Sequence, residues 1–437
     1  MPSTRRSVIA LLASVFCASA ASMAGVTVIG KQVYDLTRSE LALGFLGLAE
    51  FAPAFLLVLL TGAIADRFER RRVAAVGIAF EVLTSLGLAA YAATKPTSAT
   101  PIFGLVLVFG IARAFVAPAT RALPADIVPA DRLPWLMPRQ SATWQIALIL
   151  GPVIGGFLYT VDPSAPYIFM AVMLLLSAIA VSVVQVRPVR EHEPAIVVSD
   201  PLQEAAVEGA AAPVERGVAS GRAHLSEALE GLRFIRRDQI LFGAISLDLF
   251  AVLFGGAVAL LPAIAEERLG VGAVGLGWLR AAGGIGAGLV TLRLAFRPIQ
   301  RLVGKKLLLA VAVFGLGTLA LGVTRNFAVA FVALAVLSGA DAISVFIRST
   351  LVPLVTPNHM RGRVLAVENV FIGASNELGA FESGVAGAIL GPAGAVVLGG
   401  GATLVVAGIW AKVFPALRDV ERFPGSVNEP GPVVNPG

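Results

Sequence analysis

The ionisable residues that interrupt long apolar stretches are the first candidates for chemistry in this sequence. They are Glu50, Glu81, Arg113, Asp248, Arg280, Asp341, Arg348, Glu368, Glu377 and Glu382. A desolvated carboxylate resists ionisation, whereas a neighbouring arginine favours its charged form. Motion that brings the two together or moves them apart therefore captures or releases a proton. A static ion pair between helices is the alternative interpretation of each residue.

The apolar stretches around these residues are long enough to cross a membrane. Hydrophobic residues make up 57% of the 437-residue chain and charged residues only 14%. A helix of roughly 20 apolar residues crosses a hydrocarbon core of about 30 Å. Unbroken apolar runs predict helices, because barrel strands would alternate polar and apolar residues. We predict an all-α membrane protein with twelve transmembrane helices, at 8–30, 41–65, 73–94, 101–121, 137–160, 165–186, 240–265, 273–296, 305–324, 327–355, 363–390 and 392–413.

These spans divide into two groups of six, separated by a polar stretch. The predicted segments are an N-terminal six-helix bundle (1–187), a cytoplasmic linker (188–237), a C-terminal six-helix bundle (238–414) and a disordered cytoplasmic tail (415–437). Towards the end of the linker, apolar residues recur at helical spacing at Leu225, Leu229, Leu232 and Ile235. We expect a short amphipathic helix there, lying on the inner membrane surface.

The positions of the basic residues predict the orientation. Most of the 34 Lys and Arg residues lie in the N-terminus, the even-numbered loops, the linker and the tail. Because basic loops stay in the cytoplasm, both termini are predicted to be cytoplasmic. The net charge of +6 has the same origin and predicts no nucleic-acid partner. A cleaved signal after Arg5 and Arg6 is an alternative, but we expect the first helix to be retained.

Metal and nucleotide chemistry is not expected. The three histidines, His192, His224 and His359, all lie in predicted cytoplasmic segments, away from one another. The glycines of 270–275 have dinucleotide-like spacing but follow an apolar helix instead of a strand. The stretch 303–307 lacks the frame of a phosphate-binding loop. We predict no cofactor and no metal.

The charged stretch TGAIADRFERRR, residues 61–72, resembles the signature between helices 2 and 3 of the major facilitator superfamily. Glu69 stands where that signature usually has glycine, and the matching residues are Gly62, Ile64, Ala65, Asp66, Arg67, Arg70 and Arg71. The resemblance implies that Gly62 lets helix 2 pack closely on helix 11. It also implies that Asp66 pairs charges at the inner gate together with Arg67, Arg70 and Arg71. The alternative for Asp66 is a topological salt bridge without a gating role.

Other stretches resemble the exporter branch of that superfamily, which includes the enterobactin exporter and the macrolide efflux proteins. They are residues 112–133, 247–287 and 360–384. A helix 5 pattern of drug and proton antiporters is matched at its end by Gly151, Pro152, Gly155 and Gly156, although Ala147 and Pro138 depart from it upstream. Arg113 stands where these antiporters keep a helix 4 arginine, but Val116 and Ala117 replace the usual Gln and Gly.

The superfamily fold implies where the candidate residues lie. Helices 1, 4, 7 and 10 line its central cavity and helices 2, 5, 8 and 11 form its gates. Arg113, Asp248 and Asp341 then fall on cavity helices, and Glu50, Arg280 and Glu377 on gating helices; these six form the predicted substrate and proton pathway. Glu81 is expected to be a packing residue, and Arg348 and Glu368 are expected at the gate. The predicted apolar lining is Phe16, Phe115, Phe250, Phe254 and Phe346.

We therefore expect a secondary active transporter that exports an amphipathic small molecule, a siderophore or a drug, by alternating access. Proton antiport is the expected driving reaction, and the expected partners are the substrate, protons and the lipid bilayer, with the chain acting as a monomer. A lysophospholipid or lipid flippase on the same fold is the first alternative. A membrane-embedded enzyme would need converging His, Cys or Ser side chains, which the pattern does not supply. A channel is the third alternative.

Overall fold

The computed structural model describes residues 2–129, 132–185 and 221–424, and the regular structure in them is helical. Side chains at several positions of the second helix, including 62–67, lie outside this description. The helices of the first half are α1 (Pro2–Thr37), α2 (Glu40–Arg67), α3 (Arg70–Ala93), α4 (Thr100–Ile127), α5 (Leu133–Val161) and α6 (Ala165–Val183). Those of the second half are α7 (Gly221–Arg237), α8 (Gln239–Phe254), α9 (Gly272–Phe296), α10 (Val303–Val323), α11 (Phe327–Val355), α12 (Arg361–Val413) and α13 (Pro415–Arg418).

Ten helices in the described residues are long and apolar enough to cross a membrane. This count leaves out α2 and treats the 53 residues of α12 as one helix. A straight helix of that length would extend about 80 Å, far beyond a bilayer core. Gly391 interrupts it with a φ of 73°, a backbone conformation that glycine adopts without a steric penalty. α12 is therefore two helices that meet at Gly391.

The helices pack as two halves. In the first half α1 packs on α5 and α6, α3 packs on α4 and α6, and α2 packs on α4. In the second half α10 packs on α11 and α12, α9 packs on α11, and α8 packs on α12. The halves meet where α2 contacts α12 and where α5 contacts α9. We call the side of the molecule where α1 begins the near face and the side where α1 ends the far face.

Glycines allow the backbones to touch at both contacts between the halves. A Cβ added to Gly384 of α12 would lie 2.8 Å from the Cα atom of Gly44 in α2. A Cβ added to Gly277 of α9 would lie 2.5 Å from the carbonyl oxygen of Pro152 in α5. Such distances are too short for any side chain, so each crossing depends on its small residues.

The first membrane helix of the second half is irregular at its far end. α8 ends at Phe254 and is followed by a 3-10 helix (Gly256–Leu260), one α-helical turn (Leu261–Ala263) and a π-helix (Ile264–Arg268). The π-helix is marked by a hydrogen bond of 3.0 Å from the Leu269 amide to the Ile264 carbonyl. The predicted span 240–265 is thus an apolar crossing candidate, but it is not one regular α-helix. We call residues 256–268 the irregular segment.

The predicted amphipathic helix of the linker is present as α7, and it docks on the second half. Ile235 is buried and packs with Met360 and Val364. Glu230 forms an ion pair of 2.8 Å with Arg363 at the start of α12. The stripe that was expected to lie on the membrane surface therefore contacts protein at this point. Residues 186–220 of the predicted linker lie outside the described residues.

The beginning of the predicted disordered tail is ordered. α13 buries Leu417 completely, and the carbonyl of Val420 accepts a hydrogen bond of 3.0 Å from the Gly304 amide at the start of α10. Leu417 joins the apolar core of the second half, which gives these residues a reason to fold that the polar, proline-containing sequence concealed. Residues 425–437 lie outside the described part of the chain.

Candidate transport site

Glu50 and Arg113 meet at a cavity in the first half. Arg113 of α4 donates a hydrogen bond to the Ser22 hydroxyl of α1, and its Nη1 atom lies 3.7 Å from Oε1 of Glu50 in α2. Both charged side chains are half-buried. The adjoining cavity is mostly apolar and is lined by Ser22, Gly25, Val26, Ile29, Leu46, Glu50, Val106, Phe109 and Met170. The cavity has a volume of about 30 Å³, room for roughly two or three water molecules, so a larger molecule could enter only if the helices around it moved apart.

The second half contributes two further charges to this pair. Glu377 of α12 lies against α2, where a Cβ on Gly47 would be 3.0 Å from its Oε2 atom. Glu377 interacts electrostatically with Glu50 and Arg113, and Arg280 of α9 interacts with Glu50. We call Glu50, Arg113, Arg280 and Glu377 the central cluster. It combines two acids with two arginines, and each half supplies one of each.

One hydrogen-bond donor of Arg280 is unpaired within the described residues. Its Nε atom is buried and has no hydrogen-bond partner among the described residues. A guanidinium offers five N–H donors and no acceptor, so an unpaired donor at this position favours a water molecule or an accepting group of a substrate. Close by on α5, Gln145 donates to the Gly284 carbonyl of α9 at 2.5 Å. This contact joins the halves about one turn of α9 beyond Arg280.

Asp248 and Asp341 lie away from the central cluster, inside the second half. Asp248 of α8 forms an ion pair of 2.6 Å with Arg348 of α11, and Arg348 approaches Glu368 of α12 at 3.9 Å. These three side chains are buried. Asp341 shares a narrow cavity with Asp248, Ser344 and residues of α10. We call Asp248, Asp341, Arg348 and Glu368 the second-half cluster. Arg348 and Glu368, assigned to the gate from the sequence, belong to it.

The charged stretch between α2 and α3 is described only in part. The side chains of Asp66 and Arg67 and the surroundings of Gly62 lie outside the description. The predicted gating roles of Asp66 and Arg67 and the predicted packing role of Gly62 therefore stay predictions. Arg70 pairs with Asp126 near the end of α4 at 3.3 Å, and Arg71 donates to the Val184 carbonyl after α6 at 3.1 Å. Burial raises the pKa of Asp126, and the Arg70 guanidinium opposes that rise. These two contacts tie the near face of the first half together.

The helix 5 pattern faces two neighbours. Gly151 and Gly155 lie against α1, where a Cβ on Gly151 would be 2.7 Å from the Ala20 carbonyl oxygen. Gly156 and Pro152 lie against α9, where Gly156 meets the Ala273 backbone. The pattern therefore allows close contact on both sides of α5, within the first half and across to the second.

The sequence analysis missed a network of charges at the far face. Lys31 of α1 pairs with Asp35 and, at 3.1 Å, with Glu266 of the irregular segment. Arg38 reaches the same Glu266 at 3.6 Å. Tyr159 of α5 donates to Asp35 at 3.0 Å. The contacts connect the far end of the first half with the second half.

A second contact in this network uses the next residue of the π-helix. Tyr34 of α1 donates a hydrogen bond to Glu267. We call Lys31, Tyr34, Asp35, Arg38, Tyr159, Glu266 and Glu267 the far-face network. The sequence contained one signal of this network. Glu266 and Glu267 are adjacent acids before a turn, and Lys31 and Arg38 are the only basic residues at the end of the first predicted span.

Three of the five phenylalanines predicted to line the cavity pack elsewhere. Phe250 has ring-centre distances of 6.4 Å to Phe254 and 5.4 Å to Trp410, and Phe346 lies 6.4 Å from Phe423. All belong to the apolar core of the second half. Phe250, Phe254 and Phe346 line neither of the two cavities described here, and their place along the central cavity stays a prediction.

The chain is similar in sequence to known proteins. The family model of the Major Facilitator Superfamily matches residues 10–380. "Multidrug efflux pump Tap" of Mycobacterium tuberculosis (strain ATCC 25618 / H37Rv) is 26% identical over 390 residues, which are 86% of this chain and 85% of that protein. "Multidrug resistance protein 1" of Bacillus subtilis (strain 168) is 32% identical over 150 residues, which are 33% of this chain and 36% of that protein.

Solved structures share the fold at low identity. A bacterial homolog of the human lysosomal transporter Spinster, inward-facing and unoccupied, is 14% identical with a TM-score of 0.68 and coverage of 96% of both chains. A POT family transporter in complex with 5-aminolevulinic acid is 12% identical with a TM-score of 0.69, covering 94% of this chain and 96% of that one. The family predicted from residues 61–72 is confirmed, since its model covers most of the sequence. The chain is an integral membrane transporter that belongs to the major facilitator superfamily.

Proposed function

We propose that the protein is a secondary active exporter of amphipathic, drug-like molecules that works by alternating access and proton antiport. We count twelve crossings in two six-helix bundles, adding α2 to the ten candidate spans and dividing α12 at Gly391. The near face is assigned to the cytoplasm of a bacterium because the basic loops lie there. The transporter is proposed to act as a monomer in the inner membrane.

The central cluster carries this proposal, because each half of the protein supplies one of its acids and one of its arginines. Glu50 and Arg113 belong to the first half, and Arg280 and Glu377 belong to the second. Rocking of one half against the other changes the distances between these charges. A charged group at the bilayer centre costs about 2.5 to 3.5 kcal/mol, so each stays where it has a partner or water. A substrate and protons that exchange with these partners would couple binding to the rocking motion.

The cavity beside Glu50 supports an amphipathic substrate class. Phe109 and Met170 line it together with aliphatic side chains, while Ser22 and Glu50 supply polar groups. Met side chains adapt to differently shaped apolar ligands. The names of the two curated relatives, both multidrug proteins, favour drugs over the siderophore that the sequence analysis also allowed. Lipid flipping stays a prediction.

The test is transport by purified protein in liposomes. With an acidic lumen, proton antiport should drive uphill accumulation of a fluorescent amphipathic dye such as ethidium. Glu50→Gln should lower this accumulation at least about tenfold, because it removes the charge that pairs with Arg113. Glu382→Gln is the matched control, since Glu382 is also a half-buried carboxylate but interacts with Ser383 instead of with the charges of the central cluster.

Two results would contradict the proposal. If the wild-type protein accumulates no dye in response to the pH gradient, proton antiport of such molecules is wrong. If Glu50→Gln transports as well as Glu382→Gln, the central cluster is not the transport site. Binding of the dye to detergent-solubilised protein separates a loss of affinity from a loss of coupling.

A further inference from the structure

Two carboxyl groups face one narrow cavity inside the second half. Asp248 of α8 and Asp341 of α11 line it together with Ser344 and residues of α10. The α10 residues are Ala310, Val311 and Phe314, which offer no charge and no side-chain hydrogen bond. The cavity has room for about one water molecule. Its lining shares no residue with that of the cavity beside Glu50.

The nearest cation is already engaged. Arg348 holds Asp248 at 2.6 Å and also approaches Glu368 at 3.9 Å. The charged groups near Asp341 are Asp248 from α8 and Arg348 from α11 itself, and Glu368 from α12 approaches that arginine. In the described part of the chain Asp341 forms no ion pair of its own. An ionised carboxyl removed from water without a counter-ion is costly, so a proton is the natural way to neutralise it.

The central cluster has a different balance. It contains as many arginines as acids, and Glu81 of α3 is a third acid that interacts with Arg113, so two guanidiniums serve three carboxyls there. In the second-half cluster, by contrast, the three carboxyls of Asp248, Asp341 and Glu368 share the one guanidinium of Arg348. This difference assigns different ligands to the two places: a polar or charged group of the substrate at the central cluster, and a proton at the cavity in the second half.

We propose that Asp341 binds the transported proton in a site that is separate from the place where the substrate binds. This inference rests on the proposed proton antiport and adds where the proton sits. Asp341 and Arg348 are seven residues apart on α11 and therefore lie on one face of that helix. When α8 moves relative to α11, Arg348 shifts from Asp248 towards Asp341. The O–H bond of Asp341 then breaks, its proton passes to water in the cavity, and Arg348 compensates the carboxylate that remains.

The decisive variant is Asp341→Asn, which mimics a permanently protonated carboxyl. In liposomes it should lose uphill dye accumulation driven by an acidic lumen at least about tenfold. Exchange of labelled for unlabelled dye across the membrane, which needs no net proton movement, should stay within about twofold of wild type. Ser349→Ala is the control and should keep driven accumulation, because Ser349 also lies on α11 but its hydroxyl donates to the Phe346 carbonyl and does not line the cavity. Glu377→Gln should instead weaken dye binding and exchange together.

The outcomes separate this inference from the proposed function. If the wild-type protein shows no proton-driven accumulation, the proposed function fails first. If the pH gradient drives dye accumulation equally in the wild type and in Asp341→Asn, the proton is bound elsewhere and the inference is overturned. Loss of exchange in a variant that melts at the wild-type temperature would also overturn it, since Asp341 would then contact substrate. If Asp341→Asn does not fold, Asp341→Glu should keep exchange but shift the pH midpoint of driven transport, and an unchanged midpoint refutes the inference.

Discussion

The contact between Lys31 and Glu266 predicts how firmly the far face is held closed. Lys31 is 6% exposed, whereas the Glu266 side chain is 31% exposed and lies 3.1 Å away. Removing one partner of a fully buried ion pair costs about 3 to 5 kcal/mol, and an exposed pair is worth about 0 to 1 kcal/mol. Because Glu266 reaches water, Lys31→Met should weaken closure by about 1 to 2 kcal/mol. That free energy corresponds to a roughly 5- to 30-fold larger population with an open far face.

Thiol labelling from the far side of the membrane measures this population. Leu46 lines the cavity of the first half, so Leu46→Cys in a Cys17→Ala background reports access to it. Lys31→Met should raise the labelling rate by a membrane-impermeant maleimide by the same 5- to 30-fold. Arg38→Met is the graded control, because the Arg38 side chain is 54% exposed and its 3.6 Å pair should change the rate about twofold or less. Equal effects of the two variants, or no effect of Lys31→Met, would refute the reasoning.

Three further changes test the packing and the central cluster. Gly156→Ala should cost about 1 to 3 kcal/mol of stability where α5 meets α9, and it should reduce transport. Gly104→Ala, at a glycine with open space around it, should do neither. Equal transport by the two variants would contradict this prediction. Ile235→Ala should destabilise the docking of α7 by about 2 to 4 kcal/mol, measured by thermal melting. Leu229 is exposed, so Leu229→Ala should change the melting temperature little. Similar melting temperatures for the two variants would contradict the docking of α7. Arg113→Lys should lower transport about tenfold while melting within a few degrees of wild type, since an ammonium lacks the guanidinium's forked donors. Unchanged transport would show that the forked donors of Arg113 are not needed.

Hydropathy and resemblance accounted for much of the fold. The starts predicted at 240 and 327 agree with helices that begin at Gln239 and Phe327, where Asp238 and Asn326 cap the first turns. Each cap oxygen accepts hydrogen bonds from two backbone amides, which is the common role of these residue types before a helix. The resemblance also implied that helix 2 packs on helix 11, and α2 does contact α12. The contact described lies at Gly44 and Gly384, far along α2 from Gly62.

The partners of the charged residues were harder to predict. The seven-residue spacing placed Asp341 and Arg348 on one face of a helix, but periodicity does not reveal which helix that face meets. Asp341 faces α10, and Arg348 reaches Asp248 and Glu368. The partner of Lys31 lies more than two hundred residues away in the sequence, and nothing local identifies it. Such pairings depend on the assembly of the two halves.

The π-helix at Ile264–Arg268 has a consequence for the length of the chain at this point. A π-turn holds one more residue than an α-turn, and that extra residue lets two consecutive acids, Glu266 and Glu267, both reach α1. Deleting a single residue here would restore ordinary helical winding and rotate every later side chain of the segment by about 100°. The contacts of Glu266 and Glu267 with α1 therefore depend on one inserted residue. A deletion scan would disrupt these contacts without changing the charge of either acid.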